Sequence, residues 1–411
     1  MTKGRATLVD ELRSWLADPQ PTTFPYDAVV AEYQRCGKHF VSEPALETLA
    51  AARETAATSA DATLARFLEV ALDKQDGRYD YPTYLGLCLL PIPSLDDPSE
   101  HADRTLQGRD RLVVQLAGDL LGFELAALNG QSSLLPEMRP DVRTARKRCE
   151  HGMRVALPAL RRLGNVGAVS ADDPQLAAAE LITEIQRGLT SDERRALALS
   201  MLPVYVLHDE YLFIRVLQMF EATFALLACD FKWAVEALTR RDAAAATRHV
   251  VSAEATLHES APLFSLLGTM QVESFRSFRE FTDGASAIQS HSYKLMESLC
   301  RTPDPERLDS PAYTSVPEVR ERVVAGIVTL DDAVERGREE GWLDARAETE
   351  LAAAMRAFSK TLKRWRQTHY RLAERMLGDG RAGTGHTAGP PYLAAVRCVD
   401  VFRSIPNADG P

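Results

Sequence analysis

The stretch Trp365-Arg366-Gln367-Thr368-His369-Tyr370-Arg371-Leu372 lies in a long segment with helical periodicity. One face of the predicted helix carries residues spaced three or four apart, namely Leu362, Trp365, His369, Leu372 and Met376. The other faces carry the polar residues Lys363, Arg364, Arg366, Gln367, Arg371 and Glu374. His369 is therefore the one titratable group on an apolar helix face.

His369 has two interpretations that spacing alone leaves open. It is either a core histidine satisfied by a backbone carbonyl, or a ligand beside an apolar pocket. A neutral imidazole in a dry pocket is what a haem iron with a single protein ligand requires. The loop Gly383-Thr384-Gly385 that follows favours the second interpretation, because glycines permit close backbone approach to a bound molecule. Glycine-rich turns are also common at helix ends.

The same helical periodicity recurs along the whole chain, while alternating β patterns are hard to find, so we expect an all-α protein. The predicted helices are 27–40, 44–57, 61–74, 110–129, 141–163, 174–188, 191–201, 209–240, 242–263, 287–300, 316–340 and 343–378. We divide the chain into a helical amino-terminal region (1–200), a region that holds every candidate site (201–400) and a frayed tail (401–411).

Composition excludes several classes of protein. The chain has 411 residues, 45% of them hydrophobic, and a net charge of -10, which argues against nucleic-acid binding. Its six cysteines are far apart, so neither a disulfide framework nor a zinc site is expected. The first residues carry no apolar leader, and the apolar window Val216 to Ala228 is too short to span a bilayer. We expect a cytoplasmic protein without a membrane segment.

Two further segments carry candidate site residues. Between His208 and Phe224 the spacing places Phe213, Leu217 and two more phenylalanines on one face, which is either core or the wall of a pocket for a flat aromatic ligand. Between Phe275 and Ser290, arginines alternate with phenylalanines. Arginine next to aromatic residues suits capture of a carboxylate at the edge of an apolar pocket. A surface pair with Glu280 or Asp283 is the alternative.

Together these segments resemble the tryptophan 2,3-dioxygenase family of helical haem enzymes. The match runs from His208 to Phe224 and from Thr269 to Glu297, and it resumes from Trp365 to Leu393 with one extra residue in the glycine loop. A fainter similarity covers Tyr81-Pro82-Thr83-Tyr84-Leu85-Gly86-Leu87. The resemblance implies a haem-binding helical bundle of this type, here with a large additional helical amino-terminal region.

Carried over residue by residue, the resemblance implies a complete site for haem b, an aromatic substrate and O2. His369 would be the axial ligand of the haem iron. The other implied cofactor contacts are Trp365, Ser286 and Gly383. The implied substrate contacts are Arg279 for the carboxylate, Thr384 for the polar end of an amino acid, Phe213 and Leu217 for the ring, Ser286, Tyr81 and Tyr84. The family often takes the tyrosine segment from a neighbouring subunit, which implies a homo-oligomer, either a dimer or a tetramer.

The chain also departs from the family pattern. Leu217 stands where the bacterial and animal enzymes have a distal histidine, and His386 replaces a glycine of the loop. Ala287 and Ile288 replace a glycine and a phenylalanine. The connection from Tyr84 to Phe213 is far longer than in the family, so the helices between them have no counterpart in it.

Four possibilities therefore compete. Insertion of both oxygen atoms would open an indole ring, whereas insertion of one would hydroxylate an indole or a tyrosine-type substrate, as in related haem-dependent aromatic hydroxylases. A haem-binding sensor without turnover is the alternative of another class, and Arg279 argues against it because a sensor has no use for a carboxylate clamp. A helical scaffold without haem is the remaining possibility.

Overall fold

The computed structural model describes residues 7–57, 61–96, 101–164, 171–378 and 389–405. Within these ranges the chain forms α-helices joined by turns and short 3-10 segments. No β-strand occurs among the described residues, where one isolated bridge pairs Glu137 with Leu207. The prediction of an all-α protein is confirmed.

Twenty α-helices follow one another in the described part of the chain. The first ten are α1 (Leu8–Ala17), α2 (Tyr26–Cys36), α3 (Glu43–Ala56), α4 (Ala62–Ala71), α5 (Tyr81–Tyr84), α6 (Ala102–Leu128), α7 (Val142–Arg162), α8 (Pro174–Gly188), α9 (Ser191–Leu199) and α10 (His208–Thr239). The second ten are α11 (Ala243–Glu259), α12 (Ala261–Leu267), α13 (Val272–Glu280), α14 (His291–Cys300), α15 (Pro305–Leu308), α16 (Pro311–Thr314), α17 (Pro317–Val324), α18 (Leu330–Glu339), α19 (Ala345–Leu377) and α20 (Pro390–Val396).

Two predicted helices are interrupted, so their prediction as single helices is wrong. The segment 242–263 breaks between α11 and α12, where Pro262 lacks an N–H and its ring would clash with a carbonyl of the preceding turn. The segment 316–340 breaks at Gly326, which has a φ of 90°. The chain then restarts α18 at Thr329, whose hydroxyl accepts a hydrogen bond from the backbone N–H of Asp332.

Other boundaries also differ from the prediction. The helix predicted at 287–300 begins as a 3-10 turn, Ala287–Gln289, before α14 starts. Helices α1 and α13 were not predicted. For α1 the signal was present, because Thr7 and Asp10 form a reciprocal capping box at its first turn.

Helix α19 has a definite start and end. The Asp344 carboxylate accepts hydrogen bonds from two backbone N–H groups of the first turn. At the other end Gly378 adopts a φ of 78°, and a Cβ there would meet the Arg276 guanidinium at 3.0 Å. Arg276 also donates to the carbonyls of Met376 and Leu377, at 3.1 and 3.3 Å. The end of α19 is thereby attached to α13.

Helix α10 is the central helix of the protein and packs against α6, α11 and α14. By length and composition it could cross a membrane, but 89% of its most apolar window is buried inside the protein. That burial is typical of the core helix of a soluble protein.

The buried apolar residues form two clusters. One joins α1 to α4, from Leu12 to Leu72, and includes Leu199 and Leu202. The other extends from Tyr81 to Ile405 and includes residues of α6 to α8, α10 to α12, α14 and α16 to α19. The division of the chain at residue 200 stays a prediction; in this structure α6 to α8 share their core with α10.

A buried polar network links α6 and α7 to the start of α10. The Arg148 guanidinium on α7 donates to Glu124 on α6 at 2.8 Å and to Asp209 on α10 at 2.5 Å. Asp209 also accepts a hydrogen bond from the backbone N–H of Gln271, just before α13. The long connection between Tyr84 and Phe213 therefore contributes directly to placing α10 and α13.

Candidate functional site

A mainly apolar cavity of about 240 Å³ lies between α10 and α19. Its remaining walls come from α5, α12, α13, α14, α20 and the segment Ala285–Ser290. Because a single buried water needs only about 10–15 Å³, the cavity has room for a ligand of many atoms.

His369 lines this cavity from α19, together with Trp365, Leu372 and Met376 of the predicted face. Its ring lies against Trp365 and Phe264, with centroid distances of 5.2 and 6.3 Å. Burial lowers the pKa of His369 to about 4, because the apolar surroundings disfavour the charged form. No residue in the described ranges forms a hydrogen bond with the imidazole. His369 therefore presents a neutral ring to the cavity.

Trp365 is the centre of an aromatic cluster one turn before His369. Its ring contacts Phe220, Phe224, Phe264 and Tyr293 at centroid distances between 5.2 and 5.7 Å. The indole nitrogen Nε1 is buried and has no hydrogen-bond partner among the described residues. A buried donor without a partner is destabilising, which distinguishes this N–H from the satisfied polar groups around it.

Arg366 does not lie on a polar face, and the prediction that it does is wrong. It is buried, with 4% of its surface exposed. Its guanidinium donates to the Tyr293 hydroxyl and to Glu297, both at 2.9 Å, and to the Val399 carbonyl at 2.6 Å. Partners on other elements replace the water that this cation would otherwise need.

Three cations surround the single carboxylate of Glu297. Lys294, Arg307 and Arg366 approach it at 3.2, 2.8 and 2.9 Å, and together they hold its pKa well below the usual range. Burial lowers the pKa of Lys294 to about 8. Lys294 and Arg366 also line the cavity, so this wall carries an excess of positive charge that suits the anionic groups of a ligand.

The wall opposite His369 is built by α10. Phe213 and Leu217 line the cavity one turn apart, followed by Phe220 and Phe224. The Phe213 ring packs against Phe275 and Phe278 of α13, with centroid distances of 5.7 and 5.3 Å. This wall presents flat apolar surface to a ligand.

Arg279 and Ser286 line the same cavity from α13 and from the turn that follows it. The two arginines of α13 differ in function, because Arg276 holds the end of α19 whereas Arg279 lies at the cavity. The sequence did not distinguish between them. Asp283, considered above as a partner for Arg279, lies 3.4 Å from His39.

The tyrosine segment reaches the cavity within the same chain. Tyr81 and Tyr84 of α5 are buried and line it. The Tyr81 backbone N–H donates to the Gln289 side chain at 3.1 Å, and the Tyr84 hydroxyl donates to Glu210 at 3.3 Å. Residues far apart in the sequence are thus brought to one site. Gly383, Thr384 and His386, also named as candidates, lie outside the described residues.

Sequence reasoning missed Glu221 and Lys294 as cavity residues. The helical spacing of both residues could have indicated their position. Glu221 follows Leu217 by four residues and so shares its helix face, and Lys294 lies four residues after Ser290 at the start of α14.

Curated relatives of the chain share one name. Tryptophan 2,3-dioxygenase of Anaeromyxobacter dehalogenans (strain 2CP-C) is 25% identical over 227 residues, which are 48% of this chain and 85% of that protein. Those of Anaeromyxobacter sp. (strain K) and Ruegeria sp. (strain TM1040) are 27% and 26% identical, and cover 48% of this chain and 85% and 82% of their own. No model of a known protein family matches the chain.

The described part of the chain is all-α, and the relatives above are all named as one class of oxidoreductase. Within that class the chain is a distant relative of the tryptophan 2,3-dioxygenases. The predicted resemblance to this family is confirmed as a distant relationship.

Proposed function

We propose that the chain is a haem-dependent oxygenase that inserts oxygen from O2 into an aromatic amino acid or an indole derivative. The observation that carries the proposal is the neutral imidazole of His369 on the wall of a large apolar cavity. Arg279 on another wall of that cavity supplies a group for a substrate carboxylate. We further propose a cytoplasmic homo-oligomer.

The residues present fit haem b. His369 would be the axial ligand, since an imidazole must be neutral to bind iron. Trp365 lines the proposed haem pocket, and the excess positive charge that Lys294 and Arg366 bring to their wall suits the two carboxylates of the cofactor. Ser286 and Gly383 complete the proposed contacts. When bound, the haem supplies the redox chemistry with O2, and the protein supplies position and environment.

The protein residues would bind and orient the substrate. Arg279 would hold its carboxylate, and Thr384 its polar end, while Phe213 and Leu217 would fix the plane of the aromatic ring. Tyr81 and Tyr84 would close the cavity beside it. Correct orientation of two reactants can lower a barrier by several kcal/mol, so the walls of this cavity would also decide which atom is oxidised.

Leu217 supports a second candidate function. In this alternative the protein inserts a single oxygen atom into an indole or a tyrosine-type substrate. The leucine offers no polar group to the ring and cannot move a proton during the reaction. Dioxygenation with ring opening remains our first proposal because the relatives are named for it.

Product mass distinguishes these outcomes. The haem-loaded, reduced protein would be mixed with ¹⁸O2 and with L-tryptophan, substituted indoles or L-tyrosine. We expect a product that contains two labelled oxygen atoms. One labelled atom would favour the hydroxylase, whereas no labelled product with any of these substrates would contradict the proposed oxygenase. An Arg279→Ala variant serves as a control, because it should raise the KM for amino-acid substrates much more than for indoles without a carboxylate.

A further inference from the structure

Glu221 is a buried carboxyl group on the cavity wall that the proposed function does not use. It lies on α10, one turn after Leu217, and 1% of its surface is exposed. Its Oε1 atom accepts a hydrogen bond from the Ser290 hydroxyl at 2.5 Å. Its Oε2 atom is buried and has no hydrogen-bond partner in the described part of the chain. A buried carboxylate oxygen without a hydrogen-bond donor is destabilising, and a donor on a bound ligand would satisfy it.

The surroundings of Glu221 are polar but contain no paired cation. Burial raises the pKa of its carboxyl group, and the nearby hydroxyls of Ser290, Ser292 and Tyr81 oppose that rise. Within the described ranges no salt bridge includes Glu221, and Lys294 pairs with Glu297 instead. The free oxygen is therefore not occupied by a structural ion pair.

Glu221 and Arg279 line the same cavity from two different helices, α10 and α13. Helix α13, which carries Arg279, packs against α10 at Phe213. Phe213 and Glu221 are eight residues apart on α10, which is ~12 Å along the helix axis at 1.5 Å per residue. The cavity is thus lined by the cation of Arg279, by the apolar side chain of Leu217 and by the hydrogen-bond acceptor of Glu221.

We propose that the Oε2 atom of Glu221 accepts a hydrogen bond from a ring-borne N–H or O–H of the substrate and thereby determines its specificity. This inference rests on the proposed function, in which Arg279 holds the opposite end of the same molecule. Glu221 supplies the polar contact with the ring that Leu217 cannot make. A substrate without such a hydrogen leaves the buried oxygen unpaired and binds more weakly.

Matched ligand pairs test this role without turnover. Dissociation constants for the haem-loaded protein would be measured anaerobically, by calorimetry, for L-tryptophan against its benzothiophene analogue and for L-tyrosine against L-phenylalanine. In the pair that binds, we expect the member with the polar hydrogen to bind about tenfold or more tightly. Glu221→Leu should bring that ratio close to one, and Glu221→Gln, which keeps an acceptor oxygen, should retain part of it.

The control is Phe213→Leu, which should weaken both members of a pair and keep their ratio. A ratio near one in the native protein, an undiminished ratio in Glu221→Leu, or no binding in either pair would overturn the inference. If Glu221→Leu does not fold, the test rests on the ratio of dissociation constants in the native protein and on its decrease in Glu221→Gln. Failure of the proposed function is recognised separately, because a protein without haem lacks the Soret band.

Discussion

His369 and Arg366 are one helical turn apart on α19, and both line the cavity. The imidazole has no hydrogen-bond partner among the described residues, whereas the guanidinium has three acceptors. A neutral ring can be buried without partners at modest cost, but a buried cation needs them. At the residue scale, His369 is therefore the group left available to a ligand.

Replacing His369 by alanine tests that availability. We expect His369→Ala to keep its helical circular dichroism but to lose most of its haem, by about tenfold or more in affinity, because the iron loses its protein ligand. Haem content after purification and the Soret band measure the effect. His258→Ala is the matched control, since His258 is an exposed histidine near the end of α11. Equal haem content in the two variants would contradict the axial assignment.

At the scale of elements, the site depends on where α10 and α13 begin. The network of Glu124, Arg148 and Asp209 connects α6, α7 and α10, and Asp209 also holds the backbone just before α13. All three of these side chains are buried. Helices α6 and α7 are thus structural supports for two walls of the cavity.

Loss of Arg148 should be much more costly than loss of a surface arginine on the same helix. Arg148→Met removes the guanidinium that pairs with two buried carboxylates, and we expect it to lower the free energy of unfolding by about 3–5 kcal/mol. Arg146→Met, two residues away, removes a solvent-exposed pair with Asp173 and should cost less than about 1 kcal/mol. Denaturant unfolding of both variants measures the difference. Equal midpoints would show that the buried network does not stabilise the fold.

For the whole molecule, the notable arrangement is that the tyrosine segment of α5 reaches the cavity of its own chain. Tyr81 and Tyr84 reach the cavity from α5 and contact Gln289 and Glu210 of their own chain. The resemblance had implied that a neighbouring subunit often supplies this segment.

Mixing two defective variants tests which chain supplies the tyrosines. Tyr84→Ala and His369→Ala would be co-refolded in equal amounts, after each has been shown to have lost activity. We expect no recovery, because neither chain then contains a complete site. Exchange of the segment between subunits of a dimer would restore about a quarter of the sites by random pairing. Recovery near that level would contradict a site completed within one chain.

Local patterns in the sequence determined the all-α class, the positions of most helices and the face that carries His369. Helical periodicity and caps such as Asp344 depend on residues within one or two turns, so they are visible without the fold. Leu217 and Phe213 were placed on a common face for the same reason.

Only the tertiary structure decided which of these residues meet. Arg366 is buried because Tyr293 and Glu297, on a helix about seventy residues earlier, supply its acceptors. Glu221 has a free oxygen because Ser290 reaches just one side of its carboxyl group. Tyr81 reaches the cavity through contacts more than two hundred residues apart. Such contacts depend on the packing of whole helices, which periodicity within a single helix does not encode.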